Sequence, residues 1–196
     1  MPGPRLRTPS DAVVGSLVDA AAAVIQAEGA TALTVRRIAA EAGVSPQSVY
    51  NHFDGKLGVV DAVFVLGFDA LSAAFDDLPD GPPVHRLVEA ALRYRAMARA
   101  HPGFYAVMFE RAVPEFVPSD EAVGHARAAF DHLVDLVQVA MDGHVLRSAD
   151  AVEVAQQLWS AIHGAVSLEL RGLGFVDDVD AQYLRLVRSL LAGLAA

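Results

Sequence analysis

The sequence predicts an all-helical chain of about nine helices, built as an N-terminal three-helix unit followed by a larger helical body. Three observations predict it. Hydrophobic residues make up 54% of the 196 positions, and alanine, valine and leucine recur at the three- and four-residue intervals of amphipathic helices. Glycine and proline cut the chain into stretches of helical length, as at Gly29, Pro79-Asp80-Gly81-Pro82-Pro83 and His101-Pro102-Gly103. Two short helical segments also meet across one glycine between Thr34 and Lys56, TVRRIAAEAGVSPQSVYNHFDGK.

That stretch organises the rest. Thr34 is a good N-cap, and Val35, Ile38, Ala39 and Ala42 fall on one helix face. Gly43 ends the first segment because glycine accepts a left-handed backbone at little cost. Ser45 caps the second, with Pro46 at the first helical position, where its missing N–H is harmless. Val49 and Phe53 point inward, leaving Gln47, Ser48, Tyr50, Asn51 and His52 for the outward and flanking surfaces. Seven residues make a helix of about 10 Å, long enough for a major groove and too short to stand alone. The pattern is that of a helix-turn-helix, with small Ala39 at the crossing.

The other elements follow in order. Residues 1–10 hold three prolines, Arg5 and Arg7, and are expected to form a disordered arm, either a solvated tail or one whose arginines reach phosphates or the minor groove. Asp11 to Glu28 is a helix with Val14, Leu17, Val18, Ala21, Val24 and Ile25 inward. A long helix from Lys56 to about Phe75 buries Val59, Val60, Val63, Phe64 and Leu71. The expected domains are therefore 11–56, a connecting helix at 57–80, and a body at 81–196. In that body a helix spans about Val84 to Ala100, followed by a short aromatic one, FYAVMFERAV. Ser119 to about Asp142 comes next, with Val123, Ala126, Phe130, Leu133, Val134 and Val137 inward. Two helices close the chain, about Ala149 to Leu170 and Ala181 to about Leu194. The last is apolar nearly all round, which points to burial on two sides and hence to a partner subunit. Ser160, Gly164, Leu184, Val187 and Leu191 are the candidate dimer-interface residues.

Composition removes several classes of function. Without cysteine there is no disulfide, thiolate metal site or cysteine nucleophile. No apolar run reaches the 18 to 20 residues of a membrane span without polar interruption, and Asp11 follows the basic start where a signal peptide would need an apolar core. A cytoplasmic protein with no membrane partner is expected. The formal net charge is −9, yet residues 1–56 carry five basic and five acidic groups, so the surplus lies wholly beyond them. An acidic body would repel DNA from every face except the helix-turn-helix. The single lysine, Lys56, stands against fourteen arginines. His125 and His132 lie seven apart on one helix, but no Asp or Glu joins them in a metal signature. No glycine-rich phosphate loop, nucleophile elbow or paired-carboxylate motif is present, so no catalytic residue, metal ligand or cofactor is assigned.

The segment from Leu17 to Phe64 resembles the DNA-binding domain of TetR-family transcriptional regulators. The resemblance rests on the Glu-Gly closing the first helix, the Leu-Thr before the second, the Ile-Ala-x-x-Ala-Gly-Val-Ser turn and the Tyr-x-His-Phe-x-x-Lys ending. The C-terminal half is similar, more loosely, to a subgroup with a Trp-x-x-x-His-Gly motif, here Trp159 to Gly164, and with a run like HPGFYAVMF. The resemblance implies a homodimeric repressor that binds a near-palindromic operator in double-stranded DNA and is released by a small apolar or amphipathic effector. It implies phosphate contacts from Thr34, Tyr50, His52 and Lys56. Arg36, Gln47, Ser48 and Asn51 are the candidates for base edges, because arginine matches guanine O6 and N7 while glutamine or asparagine matches adenine N6 and N7. Phe104, Tyr105, Met108, Phe109, Phe130, Trp159 and His163 are the candidate effector-binding residues. The rival classes are a helical dimeric adaptor without DNA binding and, more remotely, a metal-using enzyme.

Overall fold

A computed structural model describes residues 9–196. Among them are nine α-helices: α1 (Pro9–Glu28), α2 (Val35–Glu41), α3 (Pro46–His52), α4 (Gly55–Asp76), α5 (Pro83–Ala100), α6 (Pro102–Phe109), α7 (Asp120–Asp142), α8 (Ala151–Leu170) and α9 (Val179–Gly193). A single 3₁₀ turn, Ala30–Ala32, follows α1. The all-helical expectation holds, and the only β-type pairing among the described residues is one bridge between Leu146 and Ala195. Arg5 and Arg7 of the expected arm lie outside the described residues.

The chain packs as two units. The first comprises the residues up to Gly67 together with Pro102–Val123, and the second comprises Phe68–His101 with Gly124–Ala196. This differs from the expected single body at 81–196, because α6 and the segment after it belong with α1 to α3. Gly103 shows why. The position where a Cβ would stand is 2.3 Å from the Ala22 carbonyl oxygen on α1, so only glycine lets the two backbones come this close.

In the first unit, Leu17, Val18, Ala21, Val24 and Ile25 of α1 form a buried stripe. Ile38 and Ala39 of α2, Val49 of α3, and Val59, Val60 and Val63 of α4 are equally buried. Thr34 caps α2, its hydroxyl accepting the Arg37 N–H at 3.1 Å. At the far end Gly43 has φ of 68°. The Val44 N–H donates to the Ala39 carbonyl at 2.9 Å and the Gly43 N–H to the Ala40 carbonyl at 3.2 Å. This double closure satisfies two carbonyls a helix end leaves over and aims the chain into α3. Ser45 then caps α3 by accepting the Ser48 N–H at 3.3 Å.

In the second unit α5, α8 and α9 pack together through Leu87, Ala91 and Tyr94, through Ala155, Leu158 and Ile162, and through Tyr183, Val187 and Leu191. A charged strut ties the three. Arg95, 6% exposed, holds Glu169 of α8 through two hydrogen bonds of 2.6 and 2.9 Å and Asp180 of α9 through one of 2.6 Å. Its guanidinium lies 5.0 Å from the centroid of the Tyr183 ring. These partners, Glu169 first, hold its proton more firmly than usual against the opposing effect of burial.

Two expectations about faces are corrected. Val123 is 51% exposed, whereas Ala122 is fully buried. The Ser119 hydroxyl accepts the Ala122 N–H at 3.1 Å, and this cap sets α7 in a phase that turns Ala122 inward. Val187 and Leu191, expected at a subunit interface, are 3% and 6% exposed within the single chain. They belong to the stripe that α9 buries against its own unit, and only Leu184, Leu186 and Leu190 around them keep part of their surface.

By length and composition alone, Ser10–Glu28 of α1 and Gly55–Asp76 of α4 are apolar enough to cross a membrane. Their buried stripes are packed among the protein's own helices.

Candidate nucleic-acid interface

The outward surface of α3 carries Gln47, Tyr50 and Asn51, all exposed, and Tyr50 keeps 60% of its surface. That value rules out a core role for its ring. One turn apart, Gln47 and Asn51 bond to each other, the Gln47 amide N–H donating to Asn51 Oδ1 at 3.1 Å. The pair presents its remaining amide groups as one polar edge. Ser48 is less available, since its hydroxyl lies 3.0 Å from the Ser45 hydroxyl in the capping turn. His52 is half-buried at the end of the helix.

The two arginines of α2 have different environments. Arg37 is bound to Glu28 at 2.6 Å and to Glu41 at 2.8 Å, and these bonds, Glu28 first, raise its pKa. It is occupied by the fold. Arg36 beside it is exposed and has no ion-pair partner among the described residues. Thr34 uses its oxygen as a cap acceptor, which leaves the O–H to donate outward.

Lys56 is not free. Its ammonium lies 2.5 Å from Glu115 Oε1, a residue that sequence reasoning missed. The Lys56 bond, followed by a backbone N–H, holds the Glu115 carboxyl below the usual carboxylate range. No sequence signal marked the pair, because its members are 59 residues apart.

The seven effector candidates divide between the two units. Phe104, Tyr105, Met108 and Phe109 lie in the first unit. Tyr105 is core, its ring 5.1 Å from that of Phe109, while Met108 and Phe109 border a pocket of about 280 Å³. Phe130, Trp159 and His163 lie in the second unit as a chain of rings, with centroids 6.1 Å and 5.6 Å apart. Tyr94 was missed: its hydroxyl lies 2.7 Å from His163 Nδ1. His125 and His132 do share a face of α7, as their spacing suggested, and each meets an aspartate of α4, Asp69 at 2.5 Å and Asp76 at 3.4 Å. Ser160 and Gly164 border a groove of about 540 Å³ formed by α8, the 171–178 connection and α9. Beside it Phe175 is fully exposed.

Two seven-residue helices locked across a glycine turn, the second offering an amide edge to solvent, define the class: a helix-turn-helix protein of the kind that reads DNA through a short recognition helix. The comparisons give the particular family. The family model for bacterial regulatory proteins of the tetR family matches residues 17–63, and that for the tetracyclin repressor-like C-terminal domain matches 87–190. The chain belongs to the TetR family of transcriptional regulators. It is similar to an uncharacterized HTH-type transcriptional regulator, Rv0681, of Mycobacterium tuberculosis, 28% identical over 180 residues, covering 91% of this chain and 80% of that one. Its fold resembles a protein of unknown function from Rhodococcus sp. RHA1, with TM-score 0.83, 24% identity and 100% of both chains covered. It also resembles the TetR-family regulator PfmR of Thermus thermophilus, with TM-score 0.74, 17% identity, and 92% and 99% covered.

Proposed function

We propose that this regulator is a repressor, working in the cytoplasm as a homodimer on a near-palindromic operator and released by a small apolar or amphipathic effector. The observation that carries this reading is the outward edge of α3, where Gln47 and Asn51 pair side by side on an exposed helix face. Residues 11–56 read DNA, 57–80 connect, and the remainder senses and dimerises, with α6 and its following loop packed in the first unit. Thr34, Tyr50, His52 and Lys56 take phosphates and so fix register. Arg36, Gln47, Asn51 and, less directly, Ser48 take base edges and so specify sequence.

Dimerisation is supported by the small-residue groove at Ser160 and Gly164, with Leu184 on the neighbouring helix. A dimer that reads a near-palindrome needs its two α3 helices at successive major grooves, about 34 Å apart. An effector acts by favouring a conformation in which that spacing is lost.

The test is selection of binding fragments from random duplex DNA, followed by titration of the selected duplex at several salt concentrations. The expected result is a two-fold symmetric site bound at about 10⁻⁸ M or tighter, with affinity falling steeply in salt. Absence of enrichment from protein that has been denatured, stripped of bound small molecules and refolded would overturn the reading.

A further inference from the structure

The loop between α6 and α7 is fastened to the start of α4 at three points. Glu115 holds Lys56 at 2.5 Å. The ring of Phe116 lies 5.9 Å from that of Phe64. Ser119 gives Asp61 two hydrogen bonds, from its N–H at 2.9 Å and from its hydroxyl at 2.7 Å. Beneath the loop is the pocket of about 280 Å³, walled by Phe64, Val107, Met108, Val113 and Phe116. Its volume lies just below the range of about 300–1,000 Å³ usual for ligand sites, so it suits only a small occupant.

Arg111 is the only charged residue among those that line it. It is exposed, has no ion-pair partner among the described residues, and holds a left-handed backbone with φ of 51°. A non-glycine residue in that region costs free energy that the surroundings must offset. Apolar walls with one guanidinium at the edge suit a small molecule with an apolar body and a single anionic head. A cation would meet Arg111 with like charge, and a neutral apolar molecule would leave the guanidinium unused.

We propose that this pocket is an effector site for a small amphipathic carboxylate, and that its occupation keeps Lys56 from DNA. The pocket exists in the arrangement in which Glu115 holds Lys56, so an occupant packed against Phe116 selects that arrangement. A DNA phosphate has to compete with Glu115 for the same ammonium, and the occupant favours Glu115. The coupling to DNA rests on the function proposed above, whereas binding to the pocket does not.

The experiment uses the full chain with octanoate as probe and octan-1-ol as its uncharged counterpart, measured by calorimetry without DNA. Octanoate should bind about tenfold tighter than octan-1-ol, as one charge-assisted hydrogen bond supplies, and Arg111→Gln should erase the difference. Equal binding of the two, octanoate binding unchanged in Arg111→Gln, or no binding at all would overturn the site. With a selected duplex, octanoate should lower the salt slope by about one per bound chain. In Glu115→Gln, where nothing sequesters Lys56, it should leave the slope unchanged. Octanoate that binds without altering the slope of the native chain overturns the link to Lys56. A chain with no affinity for any duplex defeats the proposed function, and the calorimetry still decides the pocket.

Discussion

Gly103→Ala is the sharpest test of the packing behind the helix-turn-helix. The added Cβ would stand 2.3 Å from the Ala22 carbonyl oxygen and 2.9 Å from its carbon, where ordinary contact begins at 3.4 Å. The shortfall at the oxygen is 1.1 Å. Ala22 sits in the middle of α1, so its carbonyl cannot rotate aside without breaking the helix, and α6 must move bodily. Overpacking of this kind costs about 1–3 kcal/mol, which for a chain of this size lowers Tm by about 2–12 °C. Gly67→Ala is the internal comparison. Its Cβ would meet Met108 Sδ at 2.5 Å, but a thioether can swing away, so the loss should be smaller. Gly124→Ala, with nothing within 4 Å, should gain about 0.5–1 kcal/mol from helix propensity. Thermal unfolding followed by circular dichroism, at one protein concentration, should rank the variants 124, native, 67, 103 from most to least stable. A Gly103→Ala protein melting within about 1 °C of the native chain, or above Gly67→Ala, would refute the close approach of α6 to α1.

The remaining predictions concern DNA, acid and assembly. Lys56→Ala should weaken binding to all duplexes alike and lower the salt slope by about one. Arg36→Ala should instead relax preference at one base pair by about 1–3 kcal/mol. Equal losses across sequences from both would defeat the division into phosphate and base contacts. Glu115 and Asp180 are held below the usual carboxylate range by Lys56 and Arg95 respectively. Each therefore contributes stability that is complete above its unfolded pKa of about 4 and lost as pH falls through the folded value. Denaturant midpoints measured down the acid limb should fall less steeply in the double variant Glu115→Gln, Asp180→Asn, and an unchanged limb would refute the assignment. Gly164→Leu places a side chain where its first carbon touches nothing within the chain. Sedimentation should show it converting dimer to monomer with secondary structure retained, and an intact dimer would rule out this face.

What was legible in the sequence was local. Thr34, Gly43, Ser45 and Pro46 act over spans of three to five residues, and the structure places each in the capping or turning role its chemistry suits. Contacts that join distant segments left no such mark. Nothing near Glu115 distinguishes it from other surface carboxylates until folding brings it to Lys56. Among fourteen arginines, Arg95 becomes a buried strut only through Glu169 and Asp180, 74 and 85 residues away. The last helix failed differently. When leucine and valine occur on nearly every side, periodicity cannot tell the face buried at home from one offered to a partner. The choice of Val187 and Leu191 over their neighbours was settled by Tyr183, whose hydroxyl bonds the Ala91 carbonyl at 2.8 Å and fixes the rotation of α9.

The two histidine–aspartate pairs carry a mechanical consequence. Asp69 and Asp76 are seven residues apart on α4, and so are His125 and His132 on α7. The pairs advance in the same chain direction, so one is the other translated by about 10.5 Å along two parallel helices. Such an arrangement works like two teeth on matching racks. Sliding α4 by a single turn, about 5.4 Å, unseats both teeth together and seats neither, because a full repeat is nearly two turns. An axial displacement of the second half of α4 against α7 therefore costs both contacts together rather than one at a time.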